Sequence, residues 1–76
     1  MEIEDIDKWV VPSHRLQYQM RTTTNDDGSG PLMWTDWTAV LMIAAYGEMV
    51  YVMEMSCDVV ELSWANGRFR YVGKAR

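Results

Sequence analysis

Few side chains in this sequence have the type and spacing that chemistry needs. Cys57-Asp58 offers a thiol beside a carboxylate. A thiol nucleophile needs a base within hydrogen-bond reach. The single histidine, His14, lies at the other end of the chain behind Pro12-Ser13. Ser13-His14 likewise lacks a third group to orient the imidazole. Asp26-Asp27 with Asp36 would hold a hard cation only weakly, because nothing around them follows a calcium-loop pattern. Asn66-Gly67-Arg68-Phe69-Arg70-Tyr71 interleaves bases and rings, as base-stacking strands do. Alternation along a strand, however, puts those arginines on one face and those rings on the other. There is no glycine loop shaped for phosphate and no metal-ligand spacing. We therefore expect no catalytic residue, no metal and no cofactor. A small enzyme using Cys57 stands as a distant alternative.

The elements that must position these residues read as follows. Ile3, Ile6, Trp9 and Val10 recur at helical spacing, with acids mostly opposite, so residues 2–10 predict a short amphipathic helix ended by Pro12. Residues 14–23 alternate Leu16, Tyr18, Met20 and Thr22 with Arg15, Gln17, Gln19 and Arg21, a strand with one wet face. Asn25 to Pro31 is the strongest loop signal, and 24–31 is expected to be a flexible loop. For 36–46, Thr35 as N-cap, the three alanines and Gly47 at C′ favour a helix over a strand turning at Tyr46-Gly47. Residues 49–55 have no polar face apart from Glu54 and predict a strand covered on both sides. Asp58 to Trp64 and Arg68 to Val72 predict a hairpin through Asn66-Gly67.

Length and composition set the energetic problem. A chain of 76 residues makes a single domain (1–76, with 1–12 as an arm or short helix) and buries too little surface to be comfortably stable. One cysteine forbids an internal disulfide. Yet 49% of the residues are hydrophobic, including seven Met and four Trp. A helix at 36–46 that is apolar nearly all round, and a two-sided strand at 49–55, leave apolar surface that marks an interaction site. The candidates for a partner-binding face are Trp34, Trp37, Met49, Tyr51, Met53 and Glu54, with Asp26 and Asp27 on the loop.

Charge is segregated. Glu2, Glu4, Asp5 and Asp7 open the chain, 22–67 carries seven acids and no base, and Arg68, Arg70, Lys74 and Arg76 close it. Such separation can steer a partner or pair two copies head to tail. A net charge of −4 argues against sequence-independent nucleic-acid binding, which would have to use those four C-terminal bases. The longest uncharged run, 37–47, is shorter than the ~20 residues of a membrane span. An acidic N-terminus does not suit a secretory leader, and a lone cysteine fits a reducing cytosol.

Tyr18-Gln19-Met20-Arg21, a Gly-rich loop, and Trp34-Thr35-Asp36-Trp37-Thr38-Ala39-Val40 resemble small uncharacterised bacteriophage and prophage proteins, which show Tyr-x-x-Arg on a first strand and Trp-x-x-Trp before a short helix. The resemblance covers about a third of the chain. It departs downstream, where such proteins have a charged helix and residues 39–46 carry no charge. It implies a phage-borne protein in the host cytosol that inhibits a host or defence protein, as an anti-CRISPR does, and it carries no catalytic residue.

The expectation is thus an α+β domain, a four-stranded mainly antiparallel sheet with one helix at 36–46 and a short N-terminal helix. The alternative is an all-β five-stranded meander or small barrel. It forms a homodimer, binds a larger protein, or does both, without a membrane. The mechanism is occlusion, in which the apolar Met- and Trp-rich face docks and the acidic residues around it mimic or block a basic surface. Nucleic-acid binding through the basic C-terminal residues is the alternative function.

Overall fold

In the computed structural model, which describes residues 6–25 and 27–74, the chain is built almost wholly of β-strands. They are β1 (His14–Thr23), β2 (Leu32–Trp34), β3 (Thr38–Tyr46), β4 (Met49–Glu54), β5 (Val59–Ser63) and β6 (Gly67–Lys74), with a 3-10 turn at Trp64–Asn66. All pairings are antiparallel. The order is β2-β1-β3-β4-β5, and β6 joins the other edge of β1. The sheet curls into a half-barrel.

The α+β expectation is corrected by this. Nearer to the structure is the all-β meander or small barrel, though with six strands. Residues 36–46 are not a helix: 38–46 form β3, paired to β4 from Tyr46↔Met49 to Val40↔Glu54. The misreading has a physical cause. The register slips between Val40 and Met42, a bulge that inserts one extra residue. It puts Val40 and Ile43, three apart, on the same inner face of the sheet. The bulge thus breaks the two-residue alternation that would have marked a strand, and leaves the alanines and the Thr35 and Gly47 end signals to favour a helix. Residues 6–10 form no helix either; Val10 exchanges both backbone hydrogen bonds with Ile43 at 2.9 and 3.0 Å, extending β3's edge where β1 has diverged. Residues 2–5 of the expected helix lie outside the described residues.

Two apolar layers follow from the pleat. Inside the curl, Leu16, Tyr18, Val40, Val50, Val52 and Leu62 form the main core, with Met20, Ile43, Val60 and Phe69 against it. Val50 and Val52 are 0% exposed. On the outer face, Ala44 and Tyr51 are covered by Ile6, with Trp9, Tyr46, Met49 and Val59 around them. The phenol of Tyr46 clips this segment in place: it accepts from the Asp7 N–H (3.2 Å) and donates to Asp7 Oδ1 (3.3 Å). The N-terminal segment thus covers the second face of β4, which is why that strand shows no polar alternation.

The expected Asn66-Gly67 hairpin is also corrected. Both strands form, but β5 pairs with β4 and β6 with β1. Gly67 has an extended φ of −125° and not the positive φ of a primed hairpin turn. Glycine is required there for space, since a Cβ would sit 2.7 Å from Leu62 Cδ1 and 3.2 Å from the Phe69 ring. Gly67→Ala is expected to cost about 1–2 kcal/mol through overpacking. A double-mutant cycle with Leu62→Val in urea melts should return part of that loss.

One polar pair sits at the core margin. The Tyr18 hydroxyl donates to Glu54 Oε2 at 2.6 Å. Burial, reinforced by this bond and by the charge of Glu54, holds the phenol above its usual value of 10.0. A raised value favours the neutral phenol, so this contribution is present in full below about pH 10 and is lost as pH rises beyond it. Tyr18→Phe leaves a half-buried carboxylate without its donor. It is expected to lower stability by about 1–3 kcal/mol at neutral pH. It should also flatten the loss above pH 10, as read in denaturant melts across pH.

Candidate functional site

The outer face of β1 and β6 gathers Arg21, Arg68 and Arg70, three of the six described lysines and arginines. β1 turns Leu16, Tyr18 and Met20 inward, which sends Gln17, Gln19 and Arg21 outward. Across the ladder Gln17 faces Arg70 and Gln19 faces Arg68, so both arginines share that outer face. On the other side of β1, Arg21 faces Trp34 of β2.

The segment after β2 is tied down over β1. The Thr35 N–H donates to the Met20 carbonyl (2.9 Å), the Met20 N–H to Thr35 Oγ1 (2.9 Å), and Gln19 Nε2 to the Thr35 carbonyl (2.9 Å). These bonds hold the two indoles across the strand. The Arg68 guanidinium lies 3.9 Å from the centre of the Trp34 ring, and Arg70 4.2 Å from that of Trp37. Arg21 also approaches Trp34, at 5.9 Å. The remaining polar partners are neutral amides: Arg70 Nε donates to Gln17 Oε1 (2.9 Å) and Arg21 Nη2 to Asn66 Oδ1 (3.0 Å). The result is a ladder of three guanidiniums and two indoles.

This arrangement has a definite chemistry. A guanidinium stacked on an indole keeps its charge and its in-plane donors. Stacking also fixes its rotamer before any ligand arrives, which reduces the ordering cost of binding. Arg68 and Arg70 are exposed and the two indoles half-buried. The ladder presents fixed donors suited to carboxylate or phosphate.

The residues singled out from sequence fall in several places. Trp34 and Trp37 join Arg68 and Arg70, groups that alternation alone had kept apart: the arginines' rings come from another segment, not from Phe69 and Tyr71. That juxtaposition has no signal in the sequence, because it depends on β1 lying between β2 and β6. Tyr51 is buried beneath Ile6, with Met49 beside it. Its phenol is pushed up, first by a hydrogen bond with Glu61 and then by burial. Met53 pairs with Met42 on the same outer face. Glu54 turns inward to Tyr18. Asp27 lies in the β1–β2 loop, where the Ser29 hydroxyl and N–H (2.6 and 3.0 Å) hold its carboxyl below the usual range. Lys74 ends β6, and Asp26 and Arg76 lie outside the described residues.

Cys57 is exposed in the β4–β5 turn at φ +71°, its N–H bonded to the Glu54 carbonyl. His14 instead meets Ser13 Oγ and the Tyr71 ring. Among the described residues no three His, Cys, Asp or Glu side chains gather as metal ligands, and no helix is long and apolar enough to cross a membrane. No protein-family model, curated protein or solved structure matches this chain.

Proposed function

We propose that the chain is a small, non-enzymatic binding module that occludes an acidic surface on a larger protein, in a reducing cytosol. The observation that carries this reading is the pairing of Arg68 with Trp34 and of Arg70 with Trp37 on one exposed face. Trp and Arg are the residue types that dominate binding hot spots. Here they are held in place by neutral partners, so the charge is available to an incoming carboxylate. The acids elsewhere on the chain make the net charge negative, so the basic face is a local feature that orients the approach. The resemblance to small phage proteins implies inhibition of a host or defence protein, and the acidic polarity of the target is read here from the arginine–indole pairs alone.

A second reading is single-stranded nucleic acid, favoured by the same interleaving of rings and bases. It is the weaker one: each indole already carries a guanidinium on a ring face, where a base would stack. Titration of the protein with an Asp- and Glu-rich peptide and with single-stranded RNA, at low and high salt, separates the two. Salt-sensitive binding of the peptide with little binding of RNA supports the first reading. The reverse order of affinities overturns it.

A further inference from the structure

β6 sends Arg68, Arg70 and Val72 to the outer face in turn, with a step of about 6.5 Å between successive members. The arginine–indole ladder therefore runs on to the surroundings of Val72, which are an apolar cleft of about 400 Å³. The cleft lies where β1 and β3, paired only at Gln17↔Ala39 and Tyr18↔Thr38, part from each other. Leu16 and Val40, both buried, form its base, and Leu41, Met55 and Val72 line it above them. Met55 and Val72 are 60% and 47% exposed, so the cleft is open to solvent.

The polar residues of the cleft are His14, Arg15 and Gln17, and no acid among the described residues lines it. Gln17 also accepts from Arg70 Nε at 2.9 Å, so cleft and ladder share a residue. An occupant thus meets apolar walls with the cations Arg15 and Arg70 beside them. Pockets that are mostly apolar, with a few polar groups at fixed positions, take apolar bodies and orient them by those groups. At protein interfaces such pockets are filled by single large side chains that dominate the binding energy. Here the flanking charge selects against a basic neighbour and in favour of an acidic one. We propose that the cleft takes a bulky apolar side chain, leucine or phenylalanine in size, which projects from the acidic surface of the larger partner with carboxylates on either side of it in the segment.

This inference rests on the binding of an acidic surface proposed above and names the feature of that surface that anchors it. Two blocked peptides test it: Glu-Ser-Glu-Ser-Leu-Ser-Glu, and the same peptide with serine in place of leucine. Each is titrated into the full chain carrying 13C-labelled methionine methyls and 15N-labelled amides. The leucine peptide should bind about 10-fold more tightly, the gain from burying most of a leucine side chain. It should also shift the Met55 methyl, which the serine peptide leaves in place. In Val72→Trp, whose indole fills the cleft from its exposed rim, the preference for leucine should vanish while the amide spectrum stays native. Met55→Ser, a smaller change at the other rim, should reduce the preference in the same direction. Equal affinity of the two peptides for the native chain, or a preference untouched by both variants, would overturn the proposal and leave acid binding standing. So would a leucine-dependent shift at Trp64, which lines a neighbouring groove of about 480 Å³, with none at Met55. Binding of neither peptide would overturn both readings.

Discussion

Val52→Ala is expected to lower the unfolding free energy by about 2–3 kcal/mol, the range for deleting fully buried aliphatic groups. Val52 is 0% exposed and lies on β4, an inner strand of the sheet, opposite Ile43 on β3 and Val60 on β5. Removing its two methyl groups opens a void between three strands, and close-packed neighbours relax into such a space only in part. A domain of this size holds only about 4–11 kcal/mol in total, so the loss is a large share of it. The melting temperature should fall by roughly 8–24 °C. Val72→Ala is the control. Val72 is 47% exposed on β6, and its truncation should change stability by no more than about 0.5 kcal/mol. Thermal melts of the two variants side by side check the inner and outer assignments of the pleat.

The second large effect concerns binding. Arg68→Glu with Arg70→Glu is expected to weaken association with an acidic partner by about 3 kcal/mol, a factor of roughly 100. Each reversal removes a stacked, charge-assisted donor and puts a carboxylate against the incoming acid. The fold should survive, because both side chains are exposed and β6 is held to β1 by its backbone register. Lysine at these positions tests the geometry: it keeps the charge but lacks the planar fork that stacks on an indole. Arg68→Lys with Arg70→Lys should therefore lose a substantial part of the affinity while retaining its salt dependence, measured by calorimetric titration.

β1 and β4 were legible because their side chains record their surroundings directly. Gln17, Gln19 and Arg21 alternate with Leu16, Tyr18 and Met20 on a strand with one wet face, and 49–53 carries no charge because both of its faces are covered. β3 was not legible, since its bulge replaced the two-residue period with the Val40–Ile43 spacing and its outer face is hidden by a segment more than thirty residues away. Asn66-Gly67 misled for a different reason. Glycine serves close approach as well as positive φ, and composition does not say which. At the candidate site the residue types were visible, Trp34 and Trp37 in one group and Arg68 and Arg70 in another. Their union came from topology: β1 pairs with β2 and with β6, so segments thirty residues apart meet across a single strand.

The four tryptophans report on separate regions of the molecule: Trp9 on the covered outer face, Trp34 and Trp37 in the ladder, and Trp64 at the groove. The most direct test is therefore a titration of the 15N-labelled protein with an Asp- and Glu-rich peptide, following the four indole N–H resonances by NMR. The ladder as the binding surface predicts saturable shifts at Trp34 and Trp37, reversed by salt, with Trp9 unmoved. Shifts confined to Trp9 or Trp64, or none at any concentration of peptide, would contradict it.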